Sequence, residues 1–116
     1  MDFASEYLTL ATRCQSVDYD NPSSIRQYND ASDRMRKLVQ NAESFGQTAV
    51  QSLVPLLKDP IAAPWLAHHL VELTTIDSAI RKECVMLVQD FVAKLEQEGK
   101  CADAMGERYW LKEWGT

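Results

Sequence analysis

The chain has 116 residues, 46% of them hydrophobic and 25% charged, a balance that excludes wholesale disorder and predicts one globular domain over residues 1–116. Its 12 basic and 17 acidic residues give a formal net charge of −5, which disfavours a nucleic-acid partner because the phosphate backbone is also negative. A segregated basic face would be needed, and the densest basic stretch, residues 34–37, is short and follows Asp30 and Asp33.

Glycine and proline are sparse, with 4 of each, so few positions can form the turns of a many-stranded β fold. The composition therefore predicts an all-α fold, and the apolar spacing divides the chain into about six helices. The first helix is predicted from Asp2, which can cap it, to about Ser16. Its apolar residues form one helical stripe: Phe3, Tyr7, Leu10, Ala11 and Cys14.

The second predicted helix begins at Asn21 and Pro22 and ends at about Ser44. Asparagine is a favoured N-cap and proline a favoured first helical residue, so this pair marks a helix start. Gly46 then predicts a left-handed residue at the C-terminal end. Polar residues interrupt the middle turns of the helix, which is therefore only weakly amphipathic there.

The third predicted helix covers residues 48–58 and contains Pro55, which removes one backbone amide donor and normally kinks a helix. The dipeptide Asp59–Pro60 predicts its end, because a residue before proline avoids the α region. The fourth predicted helix, residues 64–73, is apolar around more than half of its circumference, which is typical of a helix in the centre of the core.

The fifth predicted helix is capped by Thr74 or Thr75 and ends at Gly99, and the last runs from Ala102 to Trp114. Five large apolar residues of the third, fourth and fifth helices are predicted to be buried: Leu53, Leu57, Leu70, Leu87 and Phe91. Tryptophans at helical spacing are usually core residues, and Trp65 and Trp114 lie with the apolar stripes. Trp110 is predicted to be partly exposed.

Two segments carry a family resemblance. Residues 53–60 read LVPLLKDP, which resembles the first helix and Asp-Pro turn of a HEAT repeat, and residues 65–70, WLAHHL, look like the second helix. Together with the ending LKEW at residues 111–114, they are also similar to a family of small bacterial HEAT-like proteins of unknown function. The resemblance covers mainly residues 48–73 and 109–115 and implies antiparallel helical hairpins and no catalytic residues. Ala62 and Ala63 depart from it, because HEAT units usually have Val-Arg here.

Cysteine usage predicts a reducing compartment. Cys14, Cys84 and Cys101 are odd in number, far apart and without a C-x-x-C pair. The N-terminus lacks the basic region and apolar run of a signal peptide, and no window has the roughly 18 apolar residues of a membrane helix. We therefore expect a cytoplasmic protein without a membrane partner.

The sequence predicts no catalytic residue, no cofactor and no metal ion. His68 and His69, the two histidines, point about 100° apart on a helix, so they cannot chelate one ion together as an i, i+4 pair does. A nucleophile elbow, a phosphate-binding glycine loop and a cysteine beside a histidine are all missing from the sequence.

These observations predict a non-enzymatic module that binds another protein, in its most concrete form an immunity protein that neutralises a basic bacterial toxin. Acidic residues beside tyrosines suit a basic partner surface, although moderate negative charge also simply keeps a protein soluble. Two alternatives stay open: a HEAT-like adaptor for other partners, and a small enzyme or ligand-binding bundle with a deep interhelical pocket. The predicted partner-binding residues are Asp18, Tyr19, Asp20, Tyr28, Asp30 and Asp33.

Overall fold

The computed structural model describes residues 2–15 and 17–115, and within these ranges the regular secondary structure is entirely helical, which confirms the all-α prediction. The predicted end of the first helix at Ser16 lies outside the described residues. The elements of the described chain are α1 (Phe3–Cys14), α2 (Pro22–Phe45), α3 (Gln47–Leu53), a 3₁₀ helix (Val54–Lys58), α4 (Ala63–Val71), α5 (Ser78–Gln97) and α6 (Cys101–Trp114).

The first two helices begin where their capping residues predict. The Asp2 carboxylate accepts a hydrogen bond from the Ser5 amide at 3.0 Å, and the Asn21 side chain accepts one from the Ser23 amide at 3.0 Å. Helix α2 ends before Gly46, whose φ of 120° favours glycine, although its ψ of 179° is extended and not left-handed helical.

The third predicted helix is divided at Pro55. Helix α3 stops at Leu53 and the chain continues as the 3₁₀ helix, because proline has no amide hydrogen to donate to the preceding turn. Asp59 then ends the element, and its carboxylate accepts hydrogen bonds from the amides of Ile61 and Ala62 at 2.8 and 3.1 Å. This turn leads directly into α4, as the resemblance to a HEAT unit implies, while the family resemblance itself stays a prediction.

The start of the fifth helix was predicted wrongly. Asp77 caps α5 by accepting from the amides of Ala79 and Ile80, and the two threonines are used elsewhere. The Thr75 amide and hydroxyl donate to the Glu43 carboxylate at 3.0 and 2.7 Å. The segment before α5 is therefore attached to the end of α2.

Side-chain contacts define how the helices pack. Phe3 near the start of α1 contacts Phe45 at the end of α2, with ring centroids 5.5 Å apart, so α1 and α2 are antiparallel. Arg81 at the start of α5 donates to the Trp114 carbonyl at the end of α6, so this pair is antiparallel as well. Helix α4 packs on α5 and against α2, and α6 packs on α5.

The core is formed by α1, α2, α3 and α4 together with one face of α5. Leu53, Leu57 and Leu70 are buried as predicted, but Leu87 and Phe91 are only partly buried. Helix α5 has one neighbour on each side, α4 and α6, so it buries the face of Cys84, Val88 and Val92 and leaves the flanking positions accessible. Within residues 2–15 and 17–115, no helix has both the length and the hydrophobicity needed to cross a bilayer.

Candidate functional site

The loop between α1 and α2 carries three of the predicted partner-binding residues, Asp18, Tyr19 and Asp20, and all three are exposed. The loop is hydrogen-bonded to itself and to α2. The Asp18 amide donates to the Ser24 hydroxyl at 2.8 Å, and the Asp18 carboxylate accepts from the Asp20 amide at 3.0 Å. These bonds hold the backbone on both sides of Tyr19, which is 71% exposed.

Tyr19 is the outer member of a row of three aromatic rings. Its centroid lies 6.4 Å from that of Tyr28 on α2, and the Tyr28 centroid lies 5.6 Å from that of Trp65 on α4. Both distances fall in the range of roughly 4.5–7 Å in which aromatic pairs attract one another. The row therefore connects the exposed loop with the partly buried surface of α4.

Asp30 and Asp33, the other predicted residues, are exposed on α2 but do not join this row. Position 33 lies five residues after Tyr28, which turns it by about 140° around the helix axis. Asp30 forms a surface ion pair with Arg34, with an N–O distance of 3.1 Å. The structure thus brings the loop residues together with Tyr28. Asp30 lines a cavity of about 340 Å³ that Tyr28 also lines, whereas Asp33 does not.

The inner end of the ring row opens into a cleft between α2, α4 and α6, with a volume of about 580 Å³. We call it the aromatic cleft. It falls within the size range of small-ligand pockets, which is roughly 300–1,000 Å³. All three tryptophans of the chain line it. Its lining comprises Tyr28, Ser32, Arg36, Pro64, Trp65, His68, His69, Glu72, Glu107, Trp110 and Trp114.

Helical spacing explains why these residues converge. On α4 the lining positions 65, 68, 69 and 72 repeat at the three- and four-residue intervals of one helix face. On α2 they are 28, 32 and 36, and on α6 they are 107, 110 and 114, again along one face each. Three mixed aromatic and polar stripes therefore meet. This signal is present in the sequence, but the prediction assigned Trp65 and Trp114 to the core.

Two ion pairs connect the walls of the cleft. The Arg36 guanidinium on α2 contacts the Glu72 carboxylate beside α4 at 3.3 Å, and His68 Nε2 on α4 lies 2.5 Å from the Glu107 carboxylate on α6. His68 Nδ1 donates to the Pro64 carbonyl at 2.5 Å. Both nitrogens of His68 thus lie within hydrogen-bond distance of an oxygen atom.

His69 lies in a different environment from that of His68. It is buried, and its Nδ1 lies 2.7 Å from the buried Tyr7 hydroxyl on α1. Burial, assisted by the positive charges of Arg36 and His68, lowers the pKa of His69 to about 3. This residue is therefore a neutral hydrogen-bonded core histidine, and only its edge reaches the aromatic cleft.

The lining of the cleft contains few side chains that could act as nucleophiles. No cysteine or serine nucleophile lies beside a histidine there, since Ser32 is the one hydroxyl amino acid apart from tyrosine and its hydroxyl makes no hydrogen bond to a histidine. Both His68 nitrogens are already engaged. Burial raises the pKa of Cys14 and of Cys84, which keeps these thiols protonated. Among the described residues, no three His, Cys, Asp or Glu side chains are placed to hold a metal ion.

A second groove lies between α5 and α6 and has a volume of about 460 Å³. Phe91 and Leu95 on α5 and Ala102 on α6 supply its apolar surface. Phe91 was predicted to be buried, and its position in this groove explains why it is not.

Comparison with known proteins gives no match: no protein-family model, no curated protein and no solved structure matches the chain.

Proposed function

We propose that this chain is a non-enzymatic module that binds a basic protein partner, and that its specific role is that of an immunity protein which covers a basic surface of a bacterial toxin. The observation that carries this proposal is the 71% exposed Tyr19 on a hydrogen-bonded loop between two exposed aspartates. Exposed aromatic side chains on a held backbone are common anchors of protein interfaces.

Charge favours the same kind of partner. Asp18 and Asp20 flank Tyr19, and the chain as a whole carries a formal charge of −5. Negative charge around an aromatic anchor speeds the approach of a basic surface and selects against acidic ones. The Tyr28 ring contacts Tyr19 and itself packs against Trp65, and this support reduces the side-chain freedom that Tyr19 loses on binding.

A second candidate function is the binding of a small ligand without a protein partner. The aromatic cleft favours it, because charged and aromatic groups from α2, α4 and α6 converge in one cavity.

The proposal is tested by capturing the partner from the cytosol of the source organism on the purified chain and then comparing variants by binding kinetics. Tyr19→Ala is expected to weaken binding at least about 30-fold, the loss that a hot-spot residue causes. Tyr109→Ala is the matched control, because Tyr109 is 68% exposed on α6 and far from the row of rings in sequence. It should change the affinity only slightly.

Charge is tested separately. Asp18→Asn with Asp20→Asn is expected to slow association and to reduce its salt dependence, since rim charges act mainly on the association rate. Asp30→Lys with Asp33→Lys tests whether the other face of α2 contributes. Equal effects of the two tyrosine substitutions, or a partner that is itself strongly acidic, would contradict the proposal.

A further inference from the structure

We propose that the aromatic cleft binds an arginine side chain of the protein partner. This inference rests on the proposed protein-binding function and names the chemical group that the partner must present. The cleft continues the row of rings that begins at Tyr19, so a partner seated on the loop lies next to its opening.

Glu72 and Glu107 both line the cleft, and each uses one carboxylate oxygen in a hydrogen bond. Glu72 uses Oε1 for Arg36, and Glu107 uses Oε2 for His68. The second oxygen of each carboxylate accepts no hydrogen bond from any described residue, and both glutamates line the cleft. Two carboxylate oxygens on opposite walls can therefore accept hydrogen bonds from a donor-rich group that enters the cleft.

The walls specify which donor-rich group fits. Trp65, Trp110 and Trp114 all line the cavity, and the face of an aromatic ring attracts a cation. A guanidinium is planar, stacks on such faces and offers five donors, whereas a lysine ammonium is compact and more strongly hydrated. The combination of three indoles and two carboxylates thus selects arginine over lysine.

An anionic ligand fits less well. Arg36 and His68 are already hydrogen-bonded to Glu72 and Glu107, so a carboxylate that entered the cleft would lie beside two glutamates that repel it. The indole nitrogen of Trp110 has no hydrogen-bond partner among the described residues, but it is buried beneath the surface and does not meet an entering group. The Arg36–Glu72 contact also shows that this carboxylate accepts a guanidinium.

Intrinsic fluorescence gives a direct test, because every tryptophan of the chain lines the cleft. Nα-acetyl-arginine methylamide is titrated into the full chain, with Nα-acetyl-citrulline methylamide as the uncharged probe of the same shape at matched ionic strength. The arginine probe should change the emission saturably. The citrulline probe should bind at least about tenfold more weakly, because it lacks the charge that the rings and carboxylates attract.

Variants locate the binding. Glu72→Gln should weaken the arginine probe about tenfold, whereas Glu113→Gln, an exposed glutamate of α6 outside the cleft, should leave it unchanged. Circular dichroism verifies that both variants are folded. The absence of a saturable change, equal binding of the citrulline probe, or unchanged affinity in Glu72→Gln would overturn the inference.

The same variants separate this inference from the proposed function. If Tyr19→Ala abolishes binding of the captured partner while Glu72→Gln leaves it intact, the chain is a protein-binding module and the arginine inference is wrong. If Glu72→Gln weakens the arginine probe and Tyr19→Ala leaves the partner bound, the cleft recognises arginine and the proposed interface is wrong.

Discussion

Acid should destabilise this protein through His69, and the loss should begin near neutral pH. The residue is 4% exposed, and its Nδ1 lies 2.7 Å from the Tyr7 hydroxyl. Burial lowers the pKa of His69 to about 3 and raises the pKa of Tyr7, so both partners are neutral in the folded state. The hydroxyl can then donate its proton to the unprotonated Nδ1.

The structure sets the size of the effect. In the unfolded chain the histidine titrates near its ordinary pKa of 6.5, while in the folded chain it stays neutral down to about pH 3. Between these values the unfolded state binds the extra proton, so the free energy of unfolding falls as the pH falls. The stabilisation is fully present above pH 6.5. From about pH 7.5 to about pH 4.5 this residue alone should remove about 2–3 kcal/mol.

Urea denaturation followed by circular dichroism measures the loss. The wild type should be more stable than His69→Gln at neutral pH. The difference between their free energies of unfolding should decrease by about 2–3 kcal/mol at about pH 4.5. His68→Gln is the matched control, because it keeps His69, whose pKa is lowered mainly by burial, and should therefore keep most of the acid-labile contribution. If the difference in the free energy of unfolding between the wild type and His69→Gln stayed constant with pH, His69 would not be a buried neutral group. This result would refute the prediction.

Two further predictions concern stability. Leu70→Ala should cost about 2–5 kcal/mol by denaturant titration, because Leu70 is fully buried, whereas Leu87→Ala should cost less than about 2 kcal/mol because its side chain is only partly buried. A loss below about 0.5 kcal/mol for Leu70→Ala would contradict the central position of α4. Glu43→Gln should lower the free energy of unfolding by about 0.5–1.5 kcal/mol by weakening the bonds from Thr75. These bonds lower the pKa of Glu43 from 4.5, so its contribution to stability is present above that pH and is lost as the pH falls through the lowered value. If the wild type and Glu43→Gln lost the same free energy of unfolding in acid, this prediction would be contradicted.

The helix boundaries followed from the sequence wherever one local interaction decides them. Asn21 and Pro22 fix the start of α2 through a cap and a backbone preference that need no distant partner. The predicted start of α5 was wrong because a distant residue takes part in deciding it. Thr75 is a plausible cap by composition, but its amide and side chain are held by Glu43, more than thirty residues earlier in the chain, and Asp77 caps the helix instead.

The aromatic cleft was not predicted because helical spacing does not reveal which neighbour a stripe meets. Trp65 and Trp114 have the spacing of core residues, and the core interpretation was reasonable for each helix alone. Their arrangement around a cavity depends on α6 meeting α4 through the His68–Glu107 contact. The same applies to Phe91 on α5. Helices α4 and α6 do not cover the whole apolar stripe of α5, so Phe91 lines the groove between α5 and α6.

Tyr28 makes the loop and the cleft one continuous surface. Its ring contacts Tyr19 on one side and Trp65 on the other, and its side chain lines the aromatic cleft. A partner residue on Tyr19 and an arginine in the cleft would therefore press on opposite sides of the same ring. Helix α2 carries that ring and also Arg36, whose guanidinium would share the Glu72 carboxylate with an entering arginine. The loop and the cleft therefore share the Tyr28 ring, so the effects of Tyr19→Ala and Glu72→Gln on the binding of one partner are not expected to be simply additive.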